Sequence, residues 1–226
     1  KTLQILSFML WLYENNKIQN FENEGTYKPF LIIAPVILLE NWKREYNIFF
    51  KNILGEPFIL HGKNLKELRK DADNEFQGRE FYQVSDEDGK PKSYLDIDAI
   101  KRNKIVITNY DTIANYEFSL GKIDWSLIVL DEAQEIKDGK SYKSKIAKAL
   151  KADFKIACTG TPIENSLLDL WNIFDFLQRG LLGSAKEFCN TYDEKLMTLE
   201  LYKELQDKFY YEKPYAYILR RTKNSE

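Results

Sequence analysis

Two adjacent carboxylates follow a short apolar run: Leu127-Ile128-Val129-Leu130 leads straight into Asp131-Glu132. An uninterrupted apolar run of that length suits a strand covered on both faces, as inside a parallel sheet. Open α/β sheets bind their ligands beyond the carboxyl ends of such strands. Two acids placed there suit a magnesium ion and a water to be activated. The ordinary alternative is a polar loop that merely leaves a buried strand.

Two other groups bear on that choice. Lys1-Thr2 opens an apolar helical stretch. A phosphate-binding loop ends in lysine and a hydroxyl residue, the lysine reaching the outer phosphates and the hydroxyl binding magnesium. A lone Lys-Thr pair also arises by chance, and no cradling glycines precede it in this chain. An acidic pair after a later strand gives it a partner, because neighbouring strands of such a sheet can be distant in sequence. Thr159-Gly160-Thr161-Pro162 follows another apolar run. Small hydroxyl residues at a strand end can bond the Asp131 loop and respond to what is bound there. They serve equally well as a helix-starting turn.

The elements that must position these residues are written in the hydrophobic pattern. Apolar runs at 30–34, 58–61, 105–108, 127–130 and 154–158 read as strands, the first ended by Pro35 and the second by Gly62. Positions 2–13 read as a helix with Leu3, Leu6, Leu10 and Tyr13 on one face. Helical spacing recurs at 39–50, at the charged stretch 64–72, and at 141–150, where Ser141 is a candidate N-cap. Segments 167–178, 184–192 and 196–210 are helical, and 214–223 is short and mixed. The stretch 74–98 is rich in charge and turn formers and reads as a surface insertion, with Phe81-Tyr82-Gln83-Val84 as one arm of a hairpin. Five strands alternating with helices predict a three-layer α/β fold with a parallel sheet. Right-handed crossovers put the strand ends on one edge, carrying Pro35, Thr108, Asp131 and Thr159.

Bulk composition excludes several classes. The 226 residues are 44% hydrophobic and 30% charged, with a formal net charge of -2. That is ordinary globular material with an ample core, and it argues against a uniformly basic DNA-coating domain. His61 is the single histidine, and Cys158 and Cys189 are the two cysteines. A structural zinc site and a histidine-based triad therefore lack the side chains they need. No apolar stretch reaches the ~20 residues of a membrane span, and no signal peptide is visible. An intracellular setting is expected, cytoplasmic or nucleoid in a bacterium and nuclear in a eukaryote. The first residue is lysine, so a piece of a longer polypeptide is expected.

In order, the chain carries Lys1-Thr2-Leu3-Gln4, Leu31-Ile-Ile-Ala-Pro35 with Asn41-Trp42 and Glu45, and Tyr110 after Ile107-Thr108-Asn109. Next come Asp131-Glu-Ala-Gln134 with Ile136-Lys137, then Thr159-Gly-Thr-Pro-Ile163 with Asn165 and Leu170-Trp171, and last Arg220-Arg-Thr-Lys223. Six blocks in this order and spacing resemble the first RecA-like lobe of the Swi/Snf-type ATPases of helicase superfamily two. Helices after residue 167 resemble the protrusion this family adds to that lobe.

The resemblance implies roles for particular residues. Lys1, Thr2 and Gln4 would bind ATP, with Thr2 and Asp131 holding Mg2+. Glu132 would polarise the attacking water. Gln134 would touch Thr159, Gly160 and Thr161 and pass on the nucleotide state. Most close relatives have histidine where Gln134 stands, and glutamine cannot titrate near neutral pH, so its role is hydrogen bonding alone. Double-stranded DNA would meet Lys43, Thr108, Asn109, Lys137, Arg220 and Arg221. Trp42 reads either as a base-stacking residue or as core. Residues 1–166 would form the ATPase lobe, and 167–226 the protrusion and the start of a linker to a second lobe of the same polypeptide. The expected function is DNA translocation driven by ATP hydrolysis, with DNA-bound proteins as targets and the fragment itself monomeric. A strand-separating DNA or RNA helicase and a non-catalytic interaction lobe stand as the alternatives.

Overall fold

A computed structural model describes residues 1–15, 28–50, 53–70, 94–161, 166–192, 198–210 and 218–219. The strands are β1 (Phe30–Ile33), β2 (Phe58–Ile59), β3 (Arg69–Lys70), β4 (Tyr94–Leu95), β5 (Ile105–Thr108), β6 (Trp125–Asp131) and β7 (Ala152–Cys158). Five of them form one parallel sheet in the order β2-β5-β1-β6-β7. In the central register Phe30 lies opposite Ile105 on one side and Leu127 on the other. Asp131 lies opposite Cys158, so β6 and β7 end together.

The three central strands are apolar at nearly every position because both faces of the sheet are covered, the exceptions being Thr108, Ser126 and Asp131. Successive side chains alternate between those faces. Leu31, Ile33, Val106, Ile128 and Leu130 pack against α4 (Ile97–Lys101), α5 (Tyr110–Asn115), α6 (Glu117–Gly121) and α7 (Tyr142–Ala149). Phe30, Ile32, Ile105, Ile107, Leu127 and Val129 pack against α1 (Thr2–Glu14) and α2 (Leu39–Phe50). A third cluster joins α8 (Leu167–Leu177), α9 (Ala185–Thr191) and α10 (Leu199–Tyr210) through Leu170, Phe174, Phe188, Tyr192, Leu205 and Phe209. Helix α8 belongs to both worlds, since Phe176 packs in the sheet core while the Phe174 ring lies tilted against Phe209 with centroids 4.4 Å apart.

Several sequence expectations are corrected in detail. The buried stripe of α1 is Ile5, Leu6, Met9 and Leu12, whereas Leu3 is exposed. That helix is apolar nearly all round, so periodicity left the choice of face to the sheet. The charged helix expected at 64–72 is α3 (Gly62–Leu68), after which Arg69–Lys70 pairs antiparallel with Tyr94–Leu95. Its partner strand lies far along the chain, and local charge pattern does not reveal such pairing. Strand β4 and the start of α4 fall inside the stretch read as a 74–98 insertion. The hairpin arm at 81–84 lies outside the described residues. Helices α5 and α6 had no sequence expectation. Ser141 does cap α7, accepting from the Ser144 amide at 3.2 Å.

Candidate nucleotide site at the carboxyl edge

Asp131 closes β6, and three neutral donors converge on it. The indole Nε1 of Trp42 donates to Asp131 Oδ2 at 2.9 Å. The backbone amide of Glu132 donates to Oδ1 at 3.1 Å. The Tyr110 hydroxyl donates to the Asp131 carbonyl at 2.8 Å. Trp42 comes from α2, where Leu39, Trp42, Tyr46 and Phe50 form the buried face. It is therefore a core residue with its one polar atom aimed at the strand end, and it is not placed to stack on a base.

Immediately after Asp131 the chain turns back. Glu132 adopts φ 52° and ψ 55°, the only left-handed non-glycine backbone among the described residues. A 3-10 turn follows at Ala133–Ile136, pinned by the buried Ala133 and Ile136. With those two inward, Glu132 and Gln134 keep partial exposure. Gln134 Nε2 donates to Glu132 Oε2 at 2.9 Å. Thr159 Oγ1 donates to Gln134 Oε1 at 2.8 Å, and the Thr161 amide donates to Thr159 Oγ1 at 3.0 Å. One unbroken hydrogen-bonded chain thus runs from the acid after β6 to the loop after β7. Gly160, exposed between the two threonines, leaves that loop uncrowded.

Electrostatics place Lys1 in the same neighbourhood. The Cys158 thiol is pushed up to about 11, first by burial and then by the Asp131 charge, with Lys1 pulling it down and Glu132 pushing it further up. The Tyr110 phenol is raised as well, by burial and then by Asp131, Glu135 and Glu132, so it stays a hydrogen-bond donor. Lys1 is exposed at the start of α1, and Thr2 is half-buried as its first residue. Gln4 is exposed on the same first turn.

Among the described residues no cluster of three or more acids, histidines or cysteines is built to cage a metal. Magnesium does not need one: it keeps several waters and is held by one or two carboxylates together with substrate phosphates. Asp131 fits that pattern, because each of its oxygens has a single hydrogen bond from the protein and keeps lone pairs for a hydrated cation.

The residues expected to meet DNA divide differently. Thr108 is completely buried, and its hydroxyl donates to the Leu60 carbonyl at 2.9 Å. Asn109 is 3% exposed. Its Oδ1 caps α5 through the Thr112 amide, and its Nδ2 lies 2.9 Å from His61 Nδ1. These side chains serve the fold and present no surface to a phosphate. Lys43 is partly exposed on α2 but pairs with Glu56 at 2.8 Å, and that bond holds the Glu56 carboxyl below its usual range. Lys137 is half-buried at the end of the 3-10 turn. Arg220 and Arg221 lie outside the described residues, as do Pro162 and Asn165.

A polar cluster behind the site had no place in the sequence reading. Asn172 on α8 donates to the carbonyls of Lys137 at 2.8 Å and Leu168 at 3.0 Å. Its Oδ1 accepts from Lys148 Nζ at 2.9 Å, and Lys148 pairs with Asp175 at 2.9 Å. Gly139 passes so close that a Cβ there would collide with the Asn172 side chain. Asn172 and two acids, Asp169 and Asp175, inside the otherwise apolar run Leu167–Leu177 were the available signal.

Comparison with known proteins gives a consistent picture. The family model described as the SNF2-related domain matches residues 1–225. A Zorya protein, ZorD, of Escherichia coli O139:H28 is 41% identical over 193 residues, which cover 85% of this chain and 16% of that protein. An uncharacterised ATP-dependent helicase of Mycoplasma genitalium is 31% identical over 224 residues, 99% of this chain and 18% of the helicase. The SWI2/SNF2 ATPase core of Sulfolobus solfataricus, solved in complex with double-stranded DNA, superposes with a TM-score of 0.66 at 27% identity over 92% of this chain and 36% of that one. The chain thus spans under a fifth of the length of these two curated relatives. No helix of the described residues is long and apolar enough to cross a membrane.

Proposed function

The chain belongs to the SNF2-related domain family, and on that premise we propose that it is the first motor lobe of an ATP-driven translocase of double-stranded DNA. The observation that carries this reading is the bonded chain from Glu132 through Gln134 and Thr159 to Thr161, set beside a carboxylate held in place by Trp42.

Each side chain then has a task. Lys1 holds the outer phosphates of ATP, with Gln4 nearby in the first turn. Thr2 and Asp131 would hold the magnesium ion, which when bound screens the phosphate charge. Glu132 aims and polarises the attacking water, being a carboxylate held by one amide donor with its other oxygen open. Gln134 takes no proton. Its amide donates to Glu132 and its carbonyl accepts from Thr159, so a shift of Glu132 towards nucleotide is felt in the loop after β7. Residues 1–166 act as the ATPase lobe, and the helices that follow as a protrusion anchored to it by α8.

Duplex DNA lies across this lobe and a second one, held mainly through phosphates and therefore sensitive to salt. Closure of the two lobes completes the site. The 226-residue chain alone binds ATP weakly and turns it over negligibly, since it supplies one of the two lobes whose closure completes the site.

The test is ATPase activity of the intact protein with duplex DNA, with single strands and with none. Duplex-specific stimulation supports translocation. Stimulation by single strands alone would favour strand separation, and absence of hydrolysis would favour an interaction lobe. Vigorous DNA-stimulated hydrolysis by the 226-residue chain would overturn the claim that one lobe is insufficient.

A further inference from the structure

We propose that Trp42 is a positioning residue for the magnesium-facing carboxylate of Asp131, an inference that rests on the reading of Asp131 given above. Its indole lies 2.9 Å from Asp131 Oδ2 and comes from a helix 89 residues earlier in the chain. Trp42 is 2% exposed and sits between Leu39 and Tyr46 on the buried face of α2, so the ring cannot swing to another partner. An indole nitrogen donates one hydrogen bond and accepts none.

A carboxylate at a strand end turns easily, because its terminal torsion is broad and two-fold. Here that freedom is removed. Oδ2 is taken by Trp42 and Oδ1 by the Glu132 amide, while Tyr110 fixes the backbone carbonyl of the same residue. The donors share one property: an indole, an amide and a phenol are all neutral. A lysine or arginine in the place of Trp42 would hold the carboxylate equally well but would cancel the charge that attracts a cation. Trp42 orients Asp131 and leaves its negative charge intact. The bond also ties α2, whose outer face carries Lys43, to the nucleotide edge of the sheet.

Removing groups that orient metal-binding side chains costs roughly 10- to 100-fold in metal affinity. Trp42→Phe keeps the aromatic packing and deletes the N–H. In the intact protein this variant should need about tenfold or more additional Mg2+ for half-maximal ATPase activity. Calorimetry with a non-hydrolysable ATP analogue should show the same loss when Mg2+ is present and no loss in EDTA. An unchanged Mg2+ requirement in a folded Trp42→Phe protein overturns the proposal, and so does an equal loss with and without Mg2+, which would report packing alone. Should that variant fail to fold, the indole 15N–1H resonance of Trp42 in the wild-type protein decides. It is expected to move with Mg2+ plus nucleotide and to stay put with nucleotide in EDTA, and a resonance indifferent to Mg2+ overturns the proposal. Asp131→Asn separates the two levels. If it leaves Mg2+ dependence untouched, the reading of Asp131 itself fails. If it abolishes that dependence while Trp42→Phe does not, only the role of Trp42 is lost.

Discussion

At the β6–β7 end of the carboxyl edge, Glu132, Gln134 and Thr159 bond to one another and keep part of their surface open. At the β5–β2 end, Thr108, Asn109 and His61 are just as polar, yet the first two are buried and spend their hydrogen bonds on Leu60, Thr112 and His61. Both groups follow apolar strands. One end keeps lone pairs that a ligand can use, and the other has used them to cap a helix and tie down a strand. Polar residues at a strand end become a site only when the fold leaves their bonding capacity unfilled.

The largest expected effect tests the open end. Glu132→Gln in the intact protein should lower ATP turnover by a factor on the order of 10²–10⁴, the usual worth of a positioned acid or base. ATP binding measured by calorimetry should be spared. Normal hydrolysis would mean that the open end is not the reactive one. Next comes Thr159→Val, which keeps the shape and removes the donor to Gln134. If that bond, worth about 1–3 kcal/mol, strengthens in the reacting state, turnover should fall about 5- to 150-fold and by more than the loss of thermal stability accounts for.

The closed end should respond in the opposite manner. Asn109→Ala removes an N-cap worth roughly 1 kcal/mol, which corresponds to a fall in Tm of about 2–4 °C for a domain of this size. Duplex DNA affinity, followed by fluorescence anisotropy, should not change. A loss of DNA binding without a loss of stability would restore Asn109 as a contact and erase the distinction between the two ends.

The smallest effect concerns the β3–β4 ribbon, which stands apart from the five-stranded sheet. Asp96 is held below the usual carboxylate range, first by the Ala99 amide and then by Lys70. A depressed folded value means its stabilisation is present above the unfolded pKa of about 3.9 and disappears as pH falls through the lower folded value. Asp96→Asn should therefore lower stability slightly at neutral pH and flatten the decline below about pH 4 in chemical denaturation. An unchanged acid limb would remove Asp96 from the ribbon's support.

The sheet was legible because buried strands write their burial directly into composition: β1, β5 and β6 are apolar at nearly every position. Asp131 and Glu132 stood out because acids interrupt such a run, whereas Gln134 came only from the resemblance. Trp42 was harder. Its helical spacing marked it as core, but its bond to Asp131 joins residues 89 apart, and no local pattern encodes that. Thr108 and Asn109 look available from their place in a motif, but the segment of β2 and the start of α5 fill their bonds. The Asn172 cluster depends on α8 crossing behind the 3-10 turn, again a tertiary event. Local chemistry therefore marked the candidate end, and long-range packing decided which polar residues kept bonding capacity free.

The backbone of Glu132 sets folding against chemistry. A left-handed conformation costs an ordinary L-residue roughly 1–2 kcal/mol, and glycine nearly nothing. By that reckoning Glu132→Gly would relax the turn and remove the carboxylate in a single change. Selection for heat resistance alone would drift towards glycine at this position, and a library screened only for stability would enrich inert proteins. If Glu132 has the role proposed for it, activity and robustness pull in opposite directions at this one residue, and a search for a tougher variant should leave it alone.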